Sequence, residues 1–405
     1  MASGRLAIGA LLAATAWAPA ALAQETRHVD IDLTASVAHD SNVARSSAQL
    51  AALRHITPDD VTYSPALTVD LLLPVGRELV FLNGSTGYEF HDTNKRLDTE
   101  RVDLTGGVRG HISFCNAELR GAYAIGQSQL SDLVVLTTIK NTLDTETAAV
   151  DVNCGRPSGV GVNFSASEIW ANNSTVELGT TDHTTTSYSG GLFYGRPALG
   201  TVKLFGTYAR TEYPNSIAGS LPGLKANNGY EINSGGVTLD RRLGARIEGT
   251  VTVAYSKVQP ISSGQLGQAS ANFSGVTYQA DLSYHPTSRI SLSGSFARSV
   301  QPSNRPGNAY DIETRYRATA GYDLGNRFVL ESSYEQREQV SHGITTVIAL
   351  PLTNSTMKVI SGSVRYIQNR HLSFILGGSN ERNSTNNPLL DYNDDRVTLT
   401  ADYRY

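Results

Sequence analysis

The sequence predicts an all-β fold, a transmembrane antiparallel up-and-down β-barrel of about 18 strands (roughly 16–18), and three observations predict it. Apolar and polar residues alternate with a period of two along most of the chain. The connections between these alternating runs switch regularly between short turns and long polar segments. Charged residues make up only 17% of the chain against about 25% in a soluble domain, while 37 Gly and 19 Tyr favour turns and strands over long helices.

The elements follow in order. Residues 1–23 read as a secretory signal peptide: Arg5 supplies the positive n-region, Leu6 to Ala18 the uncharged h-region, and Ala21-Leu22-Ala23 the small-x-small cleavage pattern. Residues 24–405 then form one barrel domain, with no later apolar run of the roughly 18 residues a spanning helix needs. An exported chain without such a helix enters a membrane only as strands, because every backbone polar group must be paired there. The first strand sets Val29, Ile31, Leu33, Ala35 and Val37 against Asp30, Asp32, Thr34 and Ser36. A middle strand sets Ile247, Val251, Val253 and Tyr255 against Glu248, Thr250, Thr252 and Ser256, and the last sets Val397, Leu399, Ala401, Tyr403 and Tyr405 against Arg396, Thr398, Thr400, Asp402 and Arg404. Each run therefore has one apolar and one polar face.

Short turns fall near Gly76, Ser113, Arg156, Pro197, Leu243, Thr287, Asn326 and Asn369, recurring about every 42 residues. Longer segments lie between them at 41–59, 92–97, 129–141, 172–182, 214–227, 259–272, 301–309, 342–354 and 384–390. A propeller blade has a similar period but needs four strands in it, and only two are present. Short turns at one end and long loops at the other are the barrel arrangement. Pro65 removes a ladder donor and is expected to mark a bulge. Tyr194, Tyr284, Tyr322, Tyr366 and Tyr405 at the short-turn ends, with Phe90, Tyr213, Tyr230, Tyr310 and Tyr392 toward the long loops, are expected to form two aromatic girdles.

The terminal Val-Thr-Leu-Thr-Ala-Asp-Tyr-Arg-Tyr (397–405) resembles the last-strand signal of bacterial outer-membrane proteins, with Tyr403 and Tyr405 as the insertion signal. Together with Ala-His-Asp-Ser-Asn-Val (38–43), Val-Thr-Tyr-Ser-Pro-Ala-Leu (61–67) and Arg-Glu-Leu-Val-Phe-Leu-Asn-Gly (77–84), the chain resembles the β-barrel porin 2 family. That resemblance implies an outer-membrane location in a Gram-negative bacterium and a role in exopolysaccharide production or export. Its implied partners are outer-membrane lipid, the barrel-assembly machinery, and polysaccharide or exopolysaccharide-export proteins.

The polar parity is expected to line the lumen. It carries Arg101, Asp103, Arg109, Arg120 and Asp151 in the first half, then Arg246, Glu248 and Asp281. Farther along come Arg315, Arg317, Glu331, Glu335, Arg337 and Arg365. A pore selecting strongly by charge needs a ring or ladder of one sign. The mixed lining instead suits neutral or weakly charged solutes such as sugars, or a wall knitted by internal ion pairs. Phe193 and Phe205 on the same parity are candidates to stack on sugar faces, or plain wall residues. Cys115 and Cys154 close the short-turn ends of adjacent strands on the same parity, so a disulfide is geometrically sensible.

The near balance of 33 basic and 37 acidic residues argues against nucleic acid as a partner. Histidine and cysteine spacing suggests no metal site or cofactor. No nucleophile elbow or phosphate loop is present, so no catalytic residue and no enzymatic activity are expected; His39-Asp40 and His91-Asp92 lack a positioned serine. Two functions remain: a channel or barrel component of exopolysaccharide production, and a general or sugar-selective passive uptake porin. The second should show a loop folded into the barrel.

Overall fold

The computed structural model describes residues 27–128, 140–156, 158–176, 178–196, 200–215, 228–244, 246–261, 272–304, 308–342 and 353–405. The expected leader at 1–23 and most of the longer segments at 129–141, 214–227, 259–272 and 342–354 lie outside the described residues.

Eighteen strands form in chain order. They are β1 (His28–Asp40), β2 (Asp60–Val75), β3 (Glu78–His91), β4 (Thr99–Ile112), β5 (Cys115–Gln127) and β6 (Thr142–Gly155). Next come β7 (Gly159–Asn173), β8 (His183–Arg196), β9 (Gly200–Tyr213), β10 (Asn228–Leu243), β11 (Ile247–Pro260) and β12 (Phe273–Thr287). The wall ends with β13 (Ile290–Pro302), β14 (Tyr310–Leu324), β15 (Phe328–His342), β16 (Asn354–Ile367), β17 (Leu372–Thr385) and β18 (Tyr392–Arg404). Every strand pairs antiparallel with its sequence neighbours, and β1 closes onto β18 from Asp32↔Arg404 to Asp40↔Arg396. Closure leaves neither the first nor the last strand as a free edge. The expected fold and strand number are both found.

Period-two alternation makes the wall inside-out. Large apolar side chains stand exposed on one face, among them Leu119 (63%), Leu204 (57%) and Leu399 (55%). In a water-filled setting such a continuous apolar surface would be an interaction patch. Here it wraps the outside, and strands of 13 to 16 residues such as β1 and β2 are long enough to cross a hydrocarbon layer at a tilt. The alternate residues point inward and carry the charge. Tight turns close the lower end, where Gly76 (φ +68°) and Gly325 (φ +70°) take the left-handed conformation that other residues adopt at a cost.

Three features differ from expectation. Pro65 interrupts the β2–β3 ladder between Tyr63↔Phe90 and Ala66↔Gly87, yet the register is the same on both sides, so there is no bulge. A missing N–H deletes a rung without adding a residue. The irregularity lies instead in β12–β13, between Tyr284 and Thr287. The upper aromatic girdle is the third: Phe90 is exposed outside, but Tyr213, Tyr230, Tyr310 and Tyr392 are buried. Tyr213, Tyr230 and Tyr392 share the parity of inward polar residues such as Thr211, Thr238 and Asp394. Tyr310 has the outward parity of Tyr316 and Tyr322, and is buried because its hairpin bends inward.

Candidate functional site

The lumen wall is built from two kinds of surface. On β4–β6, Arg109 directs Nε and Nη2 to Glu118 Oε2, both at 3.1 Å, and Arg120 lies 3.9 Å from both Glu118 and Asp151. These pairs follow from register: Arg109 stands opposite Glu118, and Glu118 opposite Asp151. The Arg109 guanidinium also sits 5.5 Å above the Phe81 ring. Across the barrel, Arg315 Nη2 donates to Glu313 Oε1 at 2.6 Å, and Arg337 lies 3.9 Å from Glu313 and donates to Met357 Sδ at 3.4 Å. Arg365 approaches Asp402 at 3.9 Å, and Arg404 holds Asp32 across the closing seam at 3.0 Å.

Other charges of this parity are arranged more loosely. Arg101 pairs with Glu89 at 3.3 Å, Glu248 with Arg242 at 3.0 Å, and Asp281 accepts from Gln279 at 2.8 Å. Glu335 stands opposite Arg317 in the β14–β15 register. Asp103, Arg317 and Glu331 are exposed and make no ion pair among the described residues; Arg246 is exposed in the turn below β11. The free charges therefore carry both signs.

From β8 to β12 the inward surface is mainly hydroxyl. Thr185 meets Thr211 at 2.8 Å, Thr238 meets Thr252 at 2.9 Å, and Ser234, Ser256 and Thr277 form a row at 2.8 and 2.7 Å. Hydroxyls can donate or accept, so this sector has no charge preference. Phe205 is 8% exposed beneath Lys203, and the Phe193 ring occupies the space that a Cβ on Gly155 or Gly161 would fill. Both rings pack against the wall. Cys115 and Cys154 are bonded at the lower end of β5–β6, with Cα atoms 4.0 Å apart.

The upper mouth is crossed by the β1–β2 loop, residues 41–59. It contains one short helix, α1 (Ala48–Leu53), which starts where Ser47 Oγ accepts from Leu50 N. Val43, Ala44, Ala51 and Ile56 pack with Leu97 of the β3–β4 connection and Leu178 of the β7–β8 connection. Leu50 packs instead with Leu389 and Leu390 of the β17–β18 connection. The loop thus bridges sides of the rim several strands apart. Arg45 anchors it: Nη1 lies 2.5 Å from Glu381 Oε1, and Nη2 lies 3.2 Å from Asp394 and 3.6 Å from Asp40. Tyr392 Oη donates to Glu381 Oε1 at 2.6 Å, and Asn42 N donates to both Asp40 and Asp394 at 3.0 Å. Burial disfavours the charge of Arg45, but Glu381, Asp394 and Asp40 outweigh it and hold the guanidinium more firmly protonated than usual. Arg54, just after α1, has its pKa pushed down to about 10 by burial.

A second infolding lies at the upper end of β9–β14. Val300, Tyr310 and Ile312 of β13–β14 pack on Tyr213, Tyr230 and Val258 of β9–β11. The first three have outward parity and the last three inward parity, so the upper end of β13–β14 lies inside the wall of β9–β11. Ser303 N donates to Tyr213 Oη at 3.1 Å, and Tyr213 Oη donates to Ala309 O at 3.0 Å.

The expected lumen charges thus divide between separate local pairs and single exposed charges of both signs, with no ladder of one sign. Arg45, Glu381 and Asp394 escaped sequence reasoning, although Val43, Leu50, Leu53 and Ile56 in an otherwise polar loop signal a segment with something to bury. The paired His39-Asp40 arrangement dissolves, since consecutive strand residues point to opposite faces. His39 lies 3.3 Å from Asp59, whereas Asp40 faces Arg45. No group of residues suited to holding a metal ion occurs among the described residues.

No family model matches the chain, and no curated protein matches its sequence. Solved structures do. OccK2 (OpdF) of Pseudomonas aeruginosa is 11% identical at a TM-score of 0.47, covering 93% of this chain and 98% of its own. OccAB3 of Acinetobacter baumannii is 10% identical at 0.45, covering 94% and 99%. The outer-membrane protein OpdK from Pseudomonas aeruginosa is 12% identical at 0.45, covering 93% and 99%.

Proposed function

We propose that the protein is a porin-like channel of a Gram-negative outer membrane, admitting small polar solutes that are neutral or weakly charged, sugars among them. The observation that carries this reading is a polar, ion-paired lumen whose mouth is crossed by a loop anchored on Arg45. A barrel of 18 strands is wide enough to enclose a water-filled channel. The infolded loop narrows the entrance, which suits a small solute better than a polymer chain. The uptake reading is therefore preferred to the exopolysaccharide role implied by the family resemblance. Under it, the leader at 1–23 is removed on export, Tyr403 and Tyr405 present the last strand to the barrel-assembly machinery, and membrane lipid covers the apolar exterior.

Liposome swelling tests the proposal. Vesicles carrying the protein should swell in mono- and disaccharides at rates that fall with solute size, and differ little between cationic and anionic solutes of equal size. Vesicles that swell no faster than protein-free ones would refute it.

A further inference from the structure

The wall has a fork between β12 and β13. Pairing runs up from Leu282↔Gly294 to Tyr278↔Arg298 and stops, although β12 continues to Phe273 and β13 to Pro302. In the same register, residues 274–277 and 299–302 would face each other, but none of them pair across this seam. The neighbouring seams remain zipped, to Val258↔Phe273 on one side and Pro302↔Tyr310 on the other. The strands separate because the end of β13–β14 is drawn inward onto Tyr213, Tyr230 and Val258.

Arg298 sits at the crotch of this fork. Its position has the outward parity of Leu292 and Phe296, yet its guanidinium lies 5.9 Å from the centre of the Phe273 ring. That ring lies back along its own strand over Gly275, where a Cβ would come within 2.7 Å of it. Arg298 makes no ion pair with a carboxylate among the described residues, and its Nε is buried without a hydrogen-bond partner. The surroundings on one side are aromatic and apolar: Tyr278 stacks on Phe296 at 4.6 Å, Phe296 meets Tyr316 at 4.8 Å, and Val276 is exposed beside them. On the other side the outward row passes from Arg298 to Thr314 and then to Glu338, two strands away. A half-buried guanidinium with no carboxylate beside it, set against an aromatic surface, is costly unless an anion joins it.

We propose that this fork is a binding site for a single-chain anionic amphiphile, a carboxylate on an apolar tail. The planar guanidinium offers the carboxylate parallel N–H donors. The outer row of Tyr278, Phe296 and Tyr316 receives the tail. The head must be anionic because Arg298 is the counter-ion, and the tail must be largely apolar because the faces of the Tyr278, Phe296 and Tyr316 rings line its path. The site is independent of solute flow through the lumen and is tested without measuring flow.

Full-length mature protein in a neutral detergent is titrated with dodecanoate, dodecanol and acetate, with binding read by native mass spectrometry. Dodecanoate should bind, and acetate and dodecanol should bind at least about tenfold more weakly, the scale of one lost charge-assisted contact. Arg298→Gln should weaken dodecanoate about tenfold, and Arg298→Lys less, while both keep the different gel migration of boiled and unboiled protein. Equal dodecanoate binding by Arg298→Gln, or equal binding of dodecanol by the parent, would overturn the proposal. If Arg298→Gln fails to fold, Arg298→Lys with the three ligands on the parent decides: dodecanoate no tighter than acetate or dodecanol is the refuting result.

Discussion

Replacing Arg45 with alanine removes a cation that three carboxylates share at the barrel mouth. Its nitrogens lie 2.5, 3.2 and 3.6 Å from Glu381, Asp394 and Asp40. Those side chains are at most 10% exposed, while Arg45 is 24% exposed. Removing one partner of a buried ion pair costs about 3–5 kcal/mol, because the remaining charge stays buried and uncompensated. Partial exposure of Arg45 places the loss near the lower end, about 3 kcal/mol, or roughly a hundredfold in the docking equilibrium of the 41–59 loop. Opposing this, Leu50 and Leu390 are fully buried, and each side chain contributes about 1.5–3 kcal/mol. The loop should therefore leave the mouth intermittently rather than permanently. Single-channel recording should show larger mean conductance and more open-channel noise for Arg45→Ala, with the barrel still migrating differently before and after boiling. Arg45→Lys should be intermediate, since one ammonium cannot serve Glu381 and Asp394 as a fork does. A folded Arg45→Ala channel with parental conductance and noise would refute the latch.

Other outcomes follow from the same geometry. Glu118→Gln removes the carboxylate between Arg109 and Arg120, so reversal potentials in a KCl gradient should shift toward chloride; an unchanged potential would mean these arginines do not face the ion path. Cys115→Ser with Cys154→Ser removes a link across 39 residues, a loop whose constraint is worth about 3–4 kcal/mol, so the unfolding midpoint should fall while conductance stays the same. An unaltered midpoint would show that the β5–β6 ladder alone holds the hairpin. Tyr403→Ala with Tyr405→Ala should lower the amount of folded barrel in the outer membrane, measured by the boiled-against-unboiled gel shift, without changing the conductance of what does assemble.

Strand number and facing were legible because both are local. A two-residue period fixes which side chains share a face, and short turns such as Val75-Gly76-Arg77 mark where the chain reverses. Neighbouring ion pairs were legible for the same reason, since strands joined by a short turn bring Arg109 opposite Glu118. The inward parity of Tyr230 was also readable from its alternation with exposed Val237 and Leu239, but strand-end position suggested a girdle instead. Tyr310 was not readable. Its burial depends on Tyr213, 97 residues earlier, and on the loss of pairing between β12 and β13. The mouth loop has the same non-local character: Leu178 and Leu390 meet the 41–59 segment only because the closed wall brings their loops to one rim. Local alternation says nothing of contacts made across a barrel.

The most direct test is a planar-bilayer recording of the purified, folded protein in KCl. A narrowed, polar lumen with free charges of both signs predicts discrete, ohmic conductance steps of uniform size and weak ion selectivity. Protein that shows the gel shift of a folded barrel but gives no steps, or conducts only one sign of ion, would contradict an open channel lined by charges of both signs.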